Sequence, residues 1–230
     1  MALRRRLSAR QEILLVVATA VVVVVLVKSF FVQTFYVPSG SMEPTLRVND
    51  RILVDKTSAW SGSPKRGDVV VFSDPGGWDD VASNPGGINA ALSAIGLYPA
   101  GNHIVKRVIG VAGDTITCCT AQGQLSINGH PIDEHAYAIP GQWAGKTCYG
   151  PMIAGCHWSA GPVPRGYIFV MGDNRAHSAD STVHLCTPAE TECHDVPWVP
   201  VDDVVGRVFA IMWPIGHWTW LSRPSDFGGL

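Results

Sequence analysis

The sequence predicts a mainly β protein of antiparallel sheets that follows one N-terminal membrane-crossing helix. Three observations carry that expectation: a long apolar run behind an arginine-rich start, short Val-, Ile- and Phe-rich runs bounded by Gly, Pro, Asp and Asn, and a hairpin signal at Asn128-Gly129. With 230 residues, 47% hydrophobic and 16% charged, the chain can close one sizeable core or two small domains sharing a sheet. A formal net charge of -2 supplies no overall basic field, so nucleic acid is not an expected partner.

Arg4, Arg5, Arg6 and Arg10 precede the run Ile13 to Val27, which only Thr19 interrupts and which resumes at Phe30 to Val32. At the helical rise, Ile13 to Val32 is about 30 Å long, the thickness of a hydrocarbon core. Lys28 can snorkel to the headgroups, and Phe35 and Tyr36 fall where an aromatic belt is expected. The expectation is a cytoplasmic basic segment at 1–12, a transmembrane helix at 13–33, and the remainder on the extracytoplasmic side of the lipid bilayer. A cleavable secretory signal opens in the same way, but the bulky residues after Lys28 offer no small-x-small cleavage site.

Strands are expected at Arg51 to Val54, Val69 to Phe72, Ile104 to Ile109, Thr115 to Thr117, Leu125 to Ile127, Tyr167 to Met171 and Val204 to Met212. Asn128-Gly129 tolerates positive φ at both turn positions and should join Leu125–Ile127 to His130–Ile132. Two excursions interrupt the strands. Asp74 to Gly101 reads as a long loop with one short helix at Ile88 to Ile95, and Ala136 to Pro164 as a surface loop pinned by a disulfide.

All six cysteines, Cys118, Cys119, Cys148, Cys156, Cys186 and Cys193, lie beyond the apolar run. An even count in an oxidising compartment reads first as disulfides. Adjacent Cys118 and Cys119 are expected to take different partners, and Cys148 with Cys156 and Cys186 with Cys193 are plausible short loops; spacing alone leaves the connectivity open. His184, Cys186, Cys193 and His194 could bind zinc, but their spacing matches no common zinc pattern, so no metal or other cofactor is expected.

The chemistry-bearing residues begin just past the apolar run, at Pro38-Ser39-Gly40-Ser41-Met42-Glu43-Pro44-Thr45-Leu46. A serine in such a turn is ordinarily only solvated, and it becomes a nucleophile only beside a base. Lysine can serve when burial disfavours its charged form. Lys106 sits in the otherwise apolar run Ile104 to Ile109, where alternation predicts that Lys106 and Arg107 take opposite faces, one inward and the other toward solvent. An ordinary edge-strand lysine fits the same local pattern.

The segment around Ser41 is followed, in order, by Asn49-Asp-Arg-Ile-Leu-Val-Asp-Lys56, Arg66-Gly-Asp-Val-Val-Val-Phe72, Lys106-Arg-Val-Ile-Gly-Val-Ala-Gly-Asp114 and Gly172-Asp-Asn-Arg-Ala-His-Ser-Ala-Asp-Ser181. Together these closely resemble the ordered motifs of bacterial type I signal peptidases. The resemblance implies a catalytic β core at 34–115 and 165–214, a smaller β and loop subdomain at 116–164, and a C-terminal tail at 215–230. It implies a membrane-bound serine endopeptidase that removes signal peptides from exported preproteins. Ser41 matches the nucleophile and Lys106 the general base, Ser39 an oxyanion-hole hydroxyl, and Ser178 a serine that orients the lysine. Arg107, Asp173 and Asp180 match supporting charges. Thr182 stands where the family motif has arginine, which leaves the partner of Asp180 open, and Asn49 replaces a glycine. Two other readings compete: a self-cleaving Ser-Lys protease, and a membrane-tethered, disulfide-stapled β module without chemistry. Trp213, Trp218 and Trp220 are candidates either for core packing or for the headgroup region.

Overall fold

A computed structural model describes residues 8–58, 62–78, 103–150, 155–185 and 196–229, with backbone alone at 26–30. The expected helix at 88–95 lies outside these residues, as do Cys186, Cys193 and His194.

Helix α1 runs Ala9–Phe30. Gln11 closes its start, the side-chain oxygen accepting from the Ser8 N–H at 2.9 Å and from the Ser8 hydroxyl at 3.2 Å. The lone polar residue of the apolar run is absorbed locally, because the Thr19 hydroxyl donates to the Leu15 carbonyl at 2.8 Å. Among the described residues no helix is long and apolar enough to cross a membrane. The expected span of 13–33 also ends early: residues 32 and 33 belong to strand β1, Val32–Tyr36, which is rich in β-branched and aromatic residues and pairs with β2, Arg51–Asp55.

The remaining strands are β3 Val69–Ser73, β4 His103–Val111, β5 Ile116–Cys118, β6 Leu125–Ile127, β7 His130–Pro131, β8 Gly141–Trp143, β9 Lys146–Cys148, β10 Trp158–Ala160, β11 Tyr167–Met171, β12 Val199–Pro200, β13 Val204–Trp213 and β14 Thr219–Trp220. All pairings between these strands are antiparallel. The main sheet runs β1-β2-β13-β3-β4-β11-β12, with β14 also on β13; β10-β5-β6-β7 form a second sheet and β8-β9 a hairpin. Asn128 and Gly129 take φ of 52° and 82°, the positive values a two-residue hairpin turn needs.

The main sheet is covered on both faces around β3, which explains the unbroken apolar run Val69 to Phe72. Val69 and Val71 enter one cluster with Met42, Leu46, Ile52 and Val208, whereas Val70 and Phe72 enter another with Val108, Ile168 and Val170. A third cluster joins Ile109 and Phe169 to Ile116, Leu125 and Ile127 of the second sheet. Beyond β13 the chain stays attached: Arg223 Nε reaches Asp68 at 2.6 Å, and Phe227 is buried against Tyr137.

Asp114, at the end of the β4 motif, ties the two sheets together. It is buried and accepts from Arg66 Nε and Nη2 at 2.6 Å each, and from the Val111 N–H and Asn128 Nδ2 at 2.9 Å each. Desolvation pushes its carboxyl up, but Arg66 and the two neutral donors outweigh that and hold it below the usual carboxylate range. A depressed folded value means that the stabilisation is complete above the unfolded carboxylate range, near pH 4, and is lost as pH falls through the lower folded value. Thermal unfolding between pH 7 and 3 should therefore show a wild-type advantage over Asp114→Asn at neutral pH that shrinks as pH falls below about 4; an advantage independent of pH would contradict it.

Candidate active site

Ser41 lies in a short 3-10 turn, Gly40–Met42, whose position is set from three sides. Met42 and Leu46 are buried in the core beneath it, and the Leu46 N–H donates to the Met42 carbonyl at 2.9 Å. From the segment after β11, the Asn174 N–H donates to the Ser41 carbonyl at 3.0 Å, and Asn174 Nδ2 to the Gly40 carbonyl at 3.2 Å. On the third side is Gly172. A Cβ there would stand 2.5 Å from the Ser41 carbonyl oxygen and collide with the Ser178 side chain, so only glycine permits this approach.

Lys106 comes from the middle of β4, which lies between β3 and β11 in the main sheet. Its side chain is buried, with 4% exposure for the residue, and Nζ lies 2.9 Å from Ser41 Oγ. Residues 65 apart in sequence thus place a hydroxyl and an amine within hydrogen-bonding reach. Ser39 is extended and exposed, with its Oγ 3.4 Å from Ser41 Oγ.

The expectation that one of Lys106 and Arg107 would reach solvent is not met. Both faces of β4 are covered, and Arg107 is only 2% exposed. Arg107 meets Asp173 through two hydrogen bonds, Nε at 2.8 Å and Nη2 at 2.7 Å, gives Nη1 to the Gly67 carbonyl at 2.9 Å, and stacks over the Tyr137 ring at 4.3 Å. Burial pushes the guanidinium down, but Asp173 more than offsets it and keeps Arg107 charged.

Ser178 is fully buried and donates its hydroxyl to Asp180 Oδ2 at 2.6 Å. Asp180 is held by hydrogen bonds: Oδ2 also accepts from the Gly172 N–H at 2.9 Å, and Oδ1 from the Thr182 N–H at 3.0 Å and hydroxyl at 2.7 Å. Thr182, standing where arginine was expected, thus supplies two of the four donors. Thr182→Val, which keeps the shape and deletes the hydroxyl, should cost about 1.5 to 3 kcal/mol, the range for a hydrogen bond to a charged group. The shift in denaturant midpoint at constant m measures it, and an unchanged midpoint would show that the hydroxyl is dispensable.

Four further residues support the turn. Asn174 and Arg175 were within reach of the sequence, since they belong to the same Gly172-Asp-Asn-Arg run. Arg175 is fully buried and donates Nε to the Gly172 carbonyl at 2.8 Å, Nη1 to the Tyr149 carbonyl and Nη2 to Glu134. Glu134 and Tyr137 carried no signal, because they come from the 116–164 region, where no motif exists. Desolvation raises the Glu134 carboxyl more than Arg175 lowers it, and Glu134 Oε2 has no hydrogen-bond partner among the described residues. Tyr137 donates its hydroxyl to Glu134 at 2.9 Å, and burial pushes that phenol well above its ordinary value.

Ser41 and Lys106 open into a cleft of about 600 Å³ between Val37–Met42, Ile104–Lys106, Trp78 and His177. Trp78 stacks on His184 at 4.5 Å, so that histidine packs against the cleft wall. A larger cavity of about 940 Å³, lined by Arg66, Tyr167 and Phe227, contains neither Ser41 nor Lys106. Strand β3 pairs with residues 103–107 of β4, whereas β11 pairs only with residues 107–111.

A family model described as signal peptidase, peptidase S26, matches residues 10–213. The chain belongs to the signal peptidase family. Signal peptidase I of Mycobacterium tuberculosis is 40% identical over 209 residues, spanning 83% of this chain and 68% of that protein. Signal peptidase I U of Bacillus subtilis is 30% identical over 194 residues, spanning 83% and 81%. A crystal structure of a signal peptidase I from Enterococcus faecalis matches 64% of this chain and 97% of its own at 21% identity and a TM-score of 0.36, and the assignment does not rest on it. The signal peptidase match includes β1 to β13 and every residue placed around Ser41 above; β14 and the segment with Phe227 lie beyond it.

Proposed function

We propose that this signal peptidase, a serine endopeptidase that removes signal peptides from preproteins, works through a Ser41–Lys106 dyad. The observation that carries the proposal is the 2.9 Å contact between Lys106 Nζ and Ser41 Oγ in a buried setting. The neutral amine takes the Ser41 proton as Oγ attacks the scissile carbonyl, returns it to the leaving amine, and then activates the water that releases the acyl group. The Ser41 N–H and the Ser39 hydroxyl stabilise the oxyanion; loss of one such donor costs about 10² to 10³ in turnover. Ser178 orients the lysine and is itself held by Asp180, while Arg107 and Asp173 fix β4 against the turn. No metal or other cofactor takes part in these steps.

The substrate lies extended along the cleft between β4 at Ile104–Lys106 and Val37–Ser39, with alternate side chains entering the cleft. In the chain as a whole, 1–12 is a cytoplasmic basic segment, the apolar stretch 13–33 the single-pass membrane anchor, 34–115 with 165–214 the catalytic core, 116–164 a subdomain and 215–230 its tail. Support for the anchor comes from apolar side chains exposed all around α1, from Ile13 at 65% to Val24 at 56%, which nothing among the described residues buries. Cys148 and Cys156, at bonding distance, make a disulfide that suits an extracytoplasmic location.

Trp213, Trp218 and Trp220 are 51%, 54% and 64% exposed, next to Ile215 at 76%, which favours the headgroup region over core packing. Replacing all three with Ser should abolish liposome binding by the chain lacking residues 1–31; unchanged flotation would remove this contact. The test of function is incubation of the detergent-solubilised protein with an exported preprotein and N-terminal sequencing of the product. One cut after a small residue at the end of the signal peptide is expected. Cleavage within the protein's own chain alone would favour the self-cleaving reading, and no cleavage at all the non-enzymatic module.

A further inference from the structure

A second set of chemistry-bearing side chains lies outside the cleft, where the β5 end meets the segment after β9. Cys118 and Cys119, expected to take different partners, have their Sγ atoms at bonding distance from each other, as do Cys148 and Cys156. The Sγ atoms of Cys118, Cys119 and Cys148 all lie within 4.8 Å of one another. Cys118, Cys148 and Cys156 are buried, whereas Cys119 is half-buried. A concavity of about 410 Å³ opens onto Cys119, Cys148 and Cys156, flanked by the exposed side chains of Lys146 and His157. Two cystines this close, reached by a cleft with basic groups at its mouth, have the layout of an exchange site rather than of two isolated staples.

We infer that these four cysteines form a thiol–disulfide exchange site that accepts a dithiol. An incoming thiolate attacks Cys119 Sγ, forming a mixed disulfide and expelling Cys118 as thiolate. The Lys146 ammonium favours the attacking anion electrostatically. The Cys118 thiolate then attacks Cys148 Sγ, forming the Cys118–Cys148 bond and expelling the Cys156 thiolate. The second thiol of the dithiol resolves the mixed disulfide, leaving as a cyclic or intramolecular disulfide and releasing Cys119. Two electrons have passed from the dithiol to the cluster. One cystine, Cys118–Cys148, remains, and Cys119 and Cys156 take up the two protons that the dithiol gave up. The disulfide form of the same dithiol, acting as the two-electron acceptor, reverses the sequence.

The full-length protein titrated with dithiothreitol, blocked with N-ethylmaleimide at each point and mapped by peptide mass spectrometry, tests this. The first reduction should leave maleimide on Cys119 and Cys156 and a peptide pair joined by Cys118–Cys148. Any other first product overturns the relay, most simply labelled Cys118 and Cys119 beside an intact Cys148–Cys156 bond. Cys156→Ser tests the internal step without added dithiol. Its Cys148 should be found bonded to Cys118, with Cys119 as the labelled thiol; a labelled Cys148 beside an intact Cys118–Cys119 bond overturns the proposal.

Discussion

Ser41→Ala and Lys106→Met each reduce preprotein cleavage on the order of 10⁴- to 10⁶-fold, the scale at which loss of a nucleophile or its base is felt in serine proteases. The two losses should not add: with either partner gone the Oγ is no longer activated, so the double variant is about as slow as each single one. Lys106→Arg sharpens the reading. Arginine keeps the positive charge and much of the length but does not deprotonate at accessible pH. A base cannot be replaced by it, whereas a cation that merely supports the cleft can. Activity within about tenfold of wild type in Lys106→Arg would therefore reassign Lys106 from proton transfer to structure. Thermal midpoints of the variants, compared with wild type, keep a folding defect from being mistaken for a catalytic one.

Asp173→Ala carries the largest expected loss of stability, about 3 to 5 kcal/mol, because it strands the Arg107 guanidinium in the interior. For a chain of this size that is a fall of about 6 to 20 °C in thermal midpoint. The signature is in the double variant. Replacing both partners by apolar residues, Arg107→Met with Asp173→Leu, removes the buried charge with its counter-ion and should be less destabilised than Asp173→Ala alone. If the double variant is instead worse than either single one, the pair contributes through its other bonds, to Gly67 and Thr45, more than through mutual charge compensation.

The parts of this protein that sequence made visible share a physical cause. Strands β2, β3, β4, β6, β11 and β13 are rich in apolar side chains that enter the core, and burial imposes a pattern that a reader can detect. Strand β1 was concealed because Val32 continues the apolar run of α1, although Gln33 and Thr34 already break it. Strands β8, β9 and β10 are three residues each in a Gly- and Pro-rich stretch, too short for a period to register. In the site, Ser41 and Lys106 were legible through motif order. Their meeting was not, because no local pattern states that β4 is covered on both faces or that Gly172 allows the turn to close upon it. The pairing of Cys118 with Cys119 ran against expectation because adjacency suggested two partners, whereas chain folding brings both beside Cys148.

The claim on which the mechanism depends is that an uncharged Lys106 amine takes the Ser41 proton. The pH dependence of kcat/KM for preprotein cleavage tests it most directly, measured where the protein remains folded. The rate should climb tenfold per pH unit along a single limb as the amine loses its proton and then level off, with Thr182→Val and wild type sharing the slope. A rate that stays flat from acid to alkaline pH would contradict the account.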